Sequence, residues 1–308
     1  MTPQDGPVWA CIVCFKVPAA DLAPLVTALA GQVSRILLLD NSSALPSDIA
    51  SLASTQVNAQ VIYVPMTSNQ GTAGAMNAAW QLALAAGAAA MISFDQDSLP
   101  SHGMVGLLRA SLRALQASGL RPAAIGPGKV DPRNNRTFRL PQSDSSAKSS
   151  RPVMPPGLEQ VVEVDHLITS GCLISSEMYQ SVGPFSSDLF LDYVDIEWSL
   201  RARHLGYQLY TDPKATMAHT IGDQVIELWG RSLPVHKPAR CYLLVRNHLL
   251  LWRLPSVPMA WLLRDLRQVL LKTTLLLALR PQRLQRLVWM LKGLRHGLQK
   301  RGGGVPEL

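Results

Sequence analysis

The sequence predicts an α/β fold: a mainly parallel central sheet flanked by helices, with an amphipathic helical extension at the C-terminal end. Three observations predict it. Short apolar runs of strand length alternate with segments of helical periodicity through the first 100 residues, the pattern of successive βαβ units. Acidic residues cluster where those apolar runs end, and parallel sheets bind ligands at the carboxyl ends of their strands. The charge is also divided. Residues 1–239 carry 16 Lys/Arg against 19 Asp/Glu, whereas residues 240–301 carry 13 against a single acid, Asp265.

Residues 8–15 (VWACIVCF) read as a buried strand. In Ala19–Ala30, Leu22, Leu25, Val26 and Leu29 share one helical face, and Gly31 stops the helix. Residues 35–39 form a second strand, ending at Asp40-Asn41-Ser42-Ser43, and residues 57–65 a third. A loop at Asn69-Gln70-Gly71 opens an Ala-rich helix over 72–86, closed by Gly87. Residues 88–94 are a fourth strand, ending at Asp95-Gln96-Asp97. Met104–Ala117 is a helix with Val105, Leu108, Leu112 and Leu115 along one side, and 123–130 a strand. Residues 131–160 turn polar and read as a long mobile loop, a form usually functional or disordered. Structure resumes over 161–175, with a short helix over 177–182, a longer one over 192–205 and a strand over 207–210. The organisation expected is a catalytic body over 1–239 and a basic helical region over 240–308.

Composition excludes several classes. A hydrophobic content of 47% excludes a disordered or fibrous chain. No apolar run reaches the roughly 18 residues of a spanning helix. The start, MTPQDGPVWA, is too polar for a signal peptide. Cys11 and Cys14 would point to opposite faces of their strand. With Cys172 and Cys241 they lack metal-site spacing and read as buried free thiols of a reducing cytosol.

Four places carry chemistry. Asp95 and Asp97 at a strand end suit a hard divalent cation whose other sites go to phosphate, although an ordinary acidic turn looks the same. Asn69 to Asn77 is a small-residue loop opening a helix, which suits a phosphate or simply tight packing through alanines. Asp192, Asp195 and Glu197 lie at a helix start, where acids complement the dipole. In the apolar stretch FLDYVDIEWSL a desolvated carboxylate also gains the raised pKa of a general base. His219, after a strand, becomes a third metal ligand if it meets Asp95 and Asp97.

Together, LLLDNSS (37–43), NQGTAGAMNAAW (69–80), SFDQDS (93–98), SGCLISSEMYQSVGPF (170–185), FLDYVDIEWSLRARHLGYQLY (190–210), AHTIGD (218–223) and YLLVRN (242–247) resemble family 2 glycosyltransferases of the Rossmann-like GT-A fold, bacterial rhamnosyltransferase branch. The resemblance implies inverting, metal-dependent sugar transfer in cell-surface polysaccharide biosynthesis, with Mg²⁺ or Mn²⁺ and dTDP-L-rhamnose as donor. It implies that Asp40 lies against the nucleotide, that Asn69, Gly71 and Asn77 shape the pocket for nucleotide and diphosphate, and that Asp95 sits near ribose and metal. Asp97 would bind the metal, His219 would complete its site, Asp195 would be the general base, and Glu197 and Asp192 would be acceptor-side or supporting acids. A UDP-hexose or UDP-galactofuranose donor, or an inactive nucleotide-sugar- or membrane-binding scaffold, are the competing implications. Cys14-Phe15-Lys16 departs from the Tyr-Asn-Pro of relatives, and the absence of Gln-x-x-Arg-Trp argues against a processive synthase.

In the C-terminal region, Leu262, Leu266, Val269 and Leu270 share one face of a helix over 258–279. Leu284, Leu287, Val288, Leu291, Leu294 and Leu298 form a second stripe, flanked by Arg283, Arg286, Lys292, Arg295 and Lys300. The pattern fits an interfacial segment on anionic lipid over 258–301, or a helix pair packed on the body. The partners expected are a nucleotide sugar, a lipid-linked saccharide acceptor and the inner face of the bacterial inner membrane. No motif for nucleic acid accompanies the basic face.

Overall fold

The structure is a computed structural model that describes residues 6–42, 48–54, 58–133, 136–138, 154–219, 224–228, 231–235 and 237–306. Strand β1 (Val8–Cys14) sends Val8, Ala10, Ile12 and Cys14 into one hydrophobic cluster and Trp9 and Cys11 into another, the period-two pattern of a strand covered on both faces. Helix α1 (Ala19–Ala30) packs on the first cluster, and β2 (Arg35–Asp40) and β3 (Gln60–Pro65) extend the sheet in parallel. Helix α2 (Gly71–Ala85) covers the opposite face through Ala73, Ala75, Met76, Ala79, Trp80 and Ala83. Strand β4 (Ala90–Asp95) pairs with the other side of β1. The third strand starts later than expected, at Gln60; residue 57 lies outside the described residues.

The second half departs further from local reading. After β5 (Leu99–Pro100) and α3 (Met104–Ala117), β6 (Pro122–Asp131) pairs with β7 (Arg136–Thr137). Residues 134–135 and 139–153 of the expected loop lie outside the described residues. Strands β8 (Val162–Val164) and β9 (Cys172–Ser175) and helix α4 (Ser176–Val182) follow. Helix α5 (Val194–His204) starts two residues later than expected, because Tyr193 is left-handed (φ 68°) and breaks the turn, leaving Asp192 outside the helix. Strand β10 (Gln208–Ala218) is far longer than 207–210. Its Thr-Asp-Pro-Lys segment mimics a turn, but is a register shift between Asp212 and Thr216 along β6. The sheet order is β3-β2-β1-β4-β9-β6-β10-β5, with β9 inserted antiparallel between β4 and β6.

A hairpin of β11 (Gln224–Leu228) and β12 (Arg231–Val235) leads to helices α6 (Arg240–Leu251), α7 (Met259–Leu279) and α8 (Arg283–Leu298). Helix α6 is locked to the segment before α5 by fully buried side chains: Arg246 donates to the Asp188 carbonyl and Asn247 to the carbonyls of Leu189 and Asp192. The stripe on α8 faces away from the protein. Leu284 is 81% exposed and Leu291 56%, while Arg286, Trp289, Met290, Gly293 and Gly297 are buried. On α7, Leu262 and Val269 pack inward but Leu270 is exposed. The reading in which these leucine stripes cover the body is therefore corrected for α8. Close backbone approach selects its inner face: a Cβ on Gly293 would lie 2.6 Å from the Tyr242 carbonyl oxygen of α6. Among the described residues, no helix is long and apolar enough to cross a membrane.

Candidate active site

Parallel pairing brings the carboxyl ends of β1, β2 and β4 to one edge, with Cys14 beside Asp40 and Val13 beside Asp95. There Asp95, Asp97 and His219 come together, with one ligand atom from each lying within 4.8 Å of the others. His219 Nε2 is 4.0 Å from Asp95 Oδ2. Its Nδ1 is 2.9 Å from the Ser98 hydroxyl, which fixes the ring, and 3.8 Å from Asp97 Oδ1, so each ring nitrogen faces one of the two acids. Two carboxylates and an imidazole form an oxygen-rich set suited to Mg²⁺ or Mn²⁺. Burial, then the Asp97 and Asp195 charges, push the Asp95 pKa up to about 7, against the pull of Arg240 and Lys129. Burial lowers the His219 pKa, which keeps the imidazole in its ligating, neutral form.

Asp195 stands at the start of α5. Its Oδ2 accepts the Thr169 N–H at 3.0 Å and its Oδ1 the Ile196 N–H at 2.8 Å. Burial raises its pKa, opposed by the Thr169 hydrogen bond and by His166. Two lysine- and histidine-bearing positions escaped the sequence reading. Lys129 on β6 lies in the field of Asp95 and Asp195, and burial pushes its pKa down to about 8. His166 lies in the field of Asp195, and its buried Nδ1 has no hydrogen-bond partner among the described residues. Neither belongs to a short motif, so only the fold could connect them to the acids.

The remaining expected residues are engaged within the protein. Asp40 is fully buried and accepts the Ser42 N–H and the Tyr63 hydroxyl. Asn69 accepts the Gly71 N–H at 2.9 Å. Gly71 (φ +68°) abuts Phe190, whose carbonyl accepts the Ala73 N–H, so a side chain there would collide with that carbonyl. Asn41, missed in the sequence, ties this corner together through the Gly71 carbonyl and the Gln70 N–H. Asn77 spends its amide on Phe185 and Tyr179, pinning α2 to the segment after α4. Glu197 is held in a bidentate pair by Arg201 (2.8 and 2.9 Å) and Asp192 in one by Arg240 (2.8 Å). Asp195 therefore remains the acid of this trio without a cationic fork. Of the stretch 218–223, residues 220–223 lie outside the described residues.

Residues 9–156 match the family described as Glycosyl transferase family 2. The chain is also 27% identical over 284 residues, 92% of each chain, to the dTDP-rhamnosyl transferase RfbF of Shigella flexneri. The chain is a glycosyltransferase that carries a family 2 domain over residues 9–156. Solved structures similar to the transferase include GalNAc-T7 with UDP, GalNAc and Mn²⁺ (TM-score 0.54, 13% identity, 86% of this chain and 54% of that one). Another is S. aureus TarS (TM-score 0.53, 11% identity, 97% of this chain and 49% of that one). The transferase spans about half the length of both, and the likeness is one of fold, GT-A.

Proposed function

We propose that this glycosyltransferase moves L-rhamnose from dTDP-L-rhamnose to a lipid-linked or cell-surface saccharide, with inversion, at the inner face of the bacterial inner membrane. The observation that carries the reading is the meeting of Asp95, Asp97 and His219 at the strand edge, with the Asp195 charge acting on Asp95, in a chain similar over 92% of its length to a dTDP-rhamnosyl transferase. Asp97, Asp95 and His219 would hold Mg²⁺ or Mn²⁺, which supplies charge neutralisation to the leaving nucleoside diphosphate. Asp195 takes the proton of the attacking hydroxyl. The N–H groups of Thr169 and Ile196 aim its oxygens, and its burial raises its proton affinity toward that task. Asp40, Asn69 and Gly71 set the loop shape beneath the nucleotide. Asn77, Glu197 and Asp192 act as supports through the contacts they already make. The outward leucines of α8 and the cations around them support a seat on anionic lipid.

The test is a donor panel with the wild type and Asp195→Asn. The wild type should transfer from dTDP-rhamnose in the presence of Mn²⁺ and not from UDP-hexoses or UDP-galactofuranose. Asp195→Asn should bind dTDP normally and lose about 10²–10⁴-fold in turnover. Preference for a UDP-sugar would replace the donor assignment, and near-normal turnover by the variant would remove the base.

A further inference from the structure

A cavity of about 260 Å³ lies between the start of α5, α6 and α7. Its lining combines the cations Lys237, Arg240 and Lys272 with the apolar side chains Leu244, Val269 and Leu276. Its two carboxylates are already committed. Asp192 is held by the Arg240 fork, and Asp265 by His248 Nδ1 at 2.6 Å and the Tyr193 hydroxyl at 2.9 Å. Lys272 makes no hydrogen bond or ion pair among the described residues, and burial lowers its pKa. The Asp192 and Asp265 charges offset that burial only in part, and an anion entering the cavity would give the ammonium a direct partner.

The cavity adjoins the proposed chemistry. Ile196, which lines it, directly follows Asp195, and Arg240 is close enough to Asp95 to lower its pKa. Helix α7 turns Val269, Lys272 and Leu276 toward the cavity and exposes Leu263, Leu270 and Leu271 on its other side. A ligand with an anionic head and an apolar tail matches both kinds of lining side chain.

We propose that this cavity is the acceptor's phosphate subsite: Lys272 and Lys237 hold the diphosphate of a lipid-linked saccharide, and Leu244, Val269 and Leu276 take the first segment of its apolar chain. This deepens the reading of Asp195 as the acceptor-side base and rests on it. The lysines tether the head group, so that the saccharide's free hydroxyl is presented to Asp195. The donor diphosphate stays with Asp95, Asp97 and His219.

Farnesyl diphosphate is a suitable probe, titrated calorimetrically into the full chain, first without divalent cation and again with Mn²⁺ and dTDP saturating. It should bind with the same affinity in both conditions. Lys272→Gln should weaken it about tenfold, the loss of one charge-assisted contact, and Lys237→Gln severalfold. Both variants should keep wild-type dTDP affinity. Farnesol and inorganic pyrophosphate, each with half of the recognition chemistry, should bind at least tenfold more weakly than the probe. Unchanged affinity in both variants overturns the subsite. Displacement of farnesyl diphosphate by dTDP assigns the cavity to the donor and overturns it too. Pyrophosphate binding as tightly as the probe makes it a free-anion site. Failure of the rhamnosyl-transfer reading would appear separately, in the donor panel and in Asp195→Asn turnover, neither of which reads Lys272.

Discussion

Asp95 sits where three carboxylates converge, and its pKa of about 7 has a consequence with a definite sign. Because the value is raised above the ordinary 3.8, the metal-free native state keeps a proton that the unfolded chain releases between about pH 4 and 7. The stabilisation from that proton is present below about pH 4 and lost as pH rises through about 7. A divalent cation takes the proton's place, so its binding weakens about tenfold per pH unit below 7. The Mn²⁺-induced rise in Tm should therefore be larger at pH 8 than at pH 6, and Asp97→Asn should abolish it. Equal rises at both pH values would contradict the site. At this scale the D-x-D pair was legible, since two acids two apart share a strand end whatever the rest does. His219 was legible only as a candidate. Lys129 and His166 were not, because a lone basic residue has a role only through the acids that the fold sets beside it.

Helix α8 shows how far periodicity reaches at the scale of an element. Its apolar period was visible, but the buried face was not the leucine face. Gly293 and Gly297, four apart on one side, allow the backbone of α6 to approach: a Cβ would lie 2.6 Å from the Tyr242 carbonyl at Gly293 and 2.7 Å from Leu249 Cδ1 at Gly297. Gly293→Val should thus cost about 1–3 kcal/mol by overpacking and lower Tm by several degrees in a thermal melt. Leu284→Ser, at a position 81% exposed, should leave Tm unchanged. Strand β10 taught the same lesson. The expected strand stopped at residue 210, yet Asp212 accepts the Ser111 hydroxyl of α3 at 2.6 Å and the Lys214 N–H at 2.9 Å, which holds the irregularity after it inside a longer strand.

Over the whole molecule, the basic C-terminal region is both an outer surface and a wall of the cavity beside Asp192. Its exposed leucines and arginines face away from the protein, while Arg240 grips Asp192 and Arg246 reaches the backbone beside Phe190. Leu284→Glu combined with Leu291→Glu should reduce pelleting with anionic vesicles and leave Tm and dTDP affinity intact; pelleting equal to wild type would exclude that face. The strand–helix alternation, the two faces of β1, the D-x-D and the division of charge were all readable from amino-acid order. Each depends on neighbours within a turn or two of chain, where side-chain period and backbone propensity act. The antiparallel entry of β9, the meeting of Asp95 and Asp97 with His219, and the outward turn of the α8 leucines required the folded chain. The first two depend on strand pairing across long separations, and the last on the close approach of α6 that Gly293 and Gly297 allow, neither of which hydrophobicity along the chain specifies.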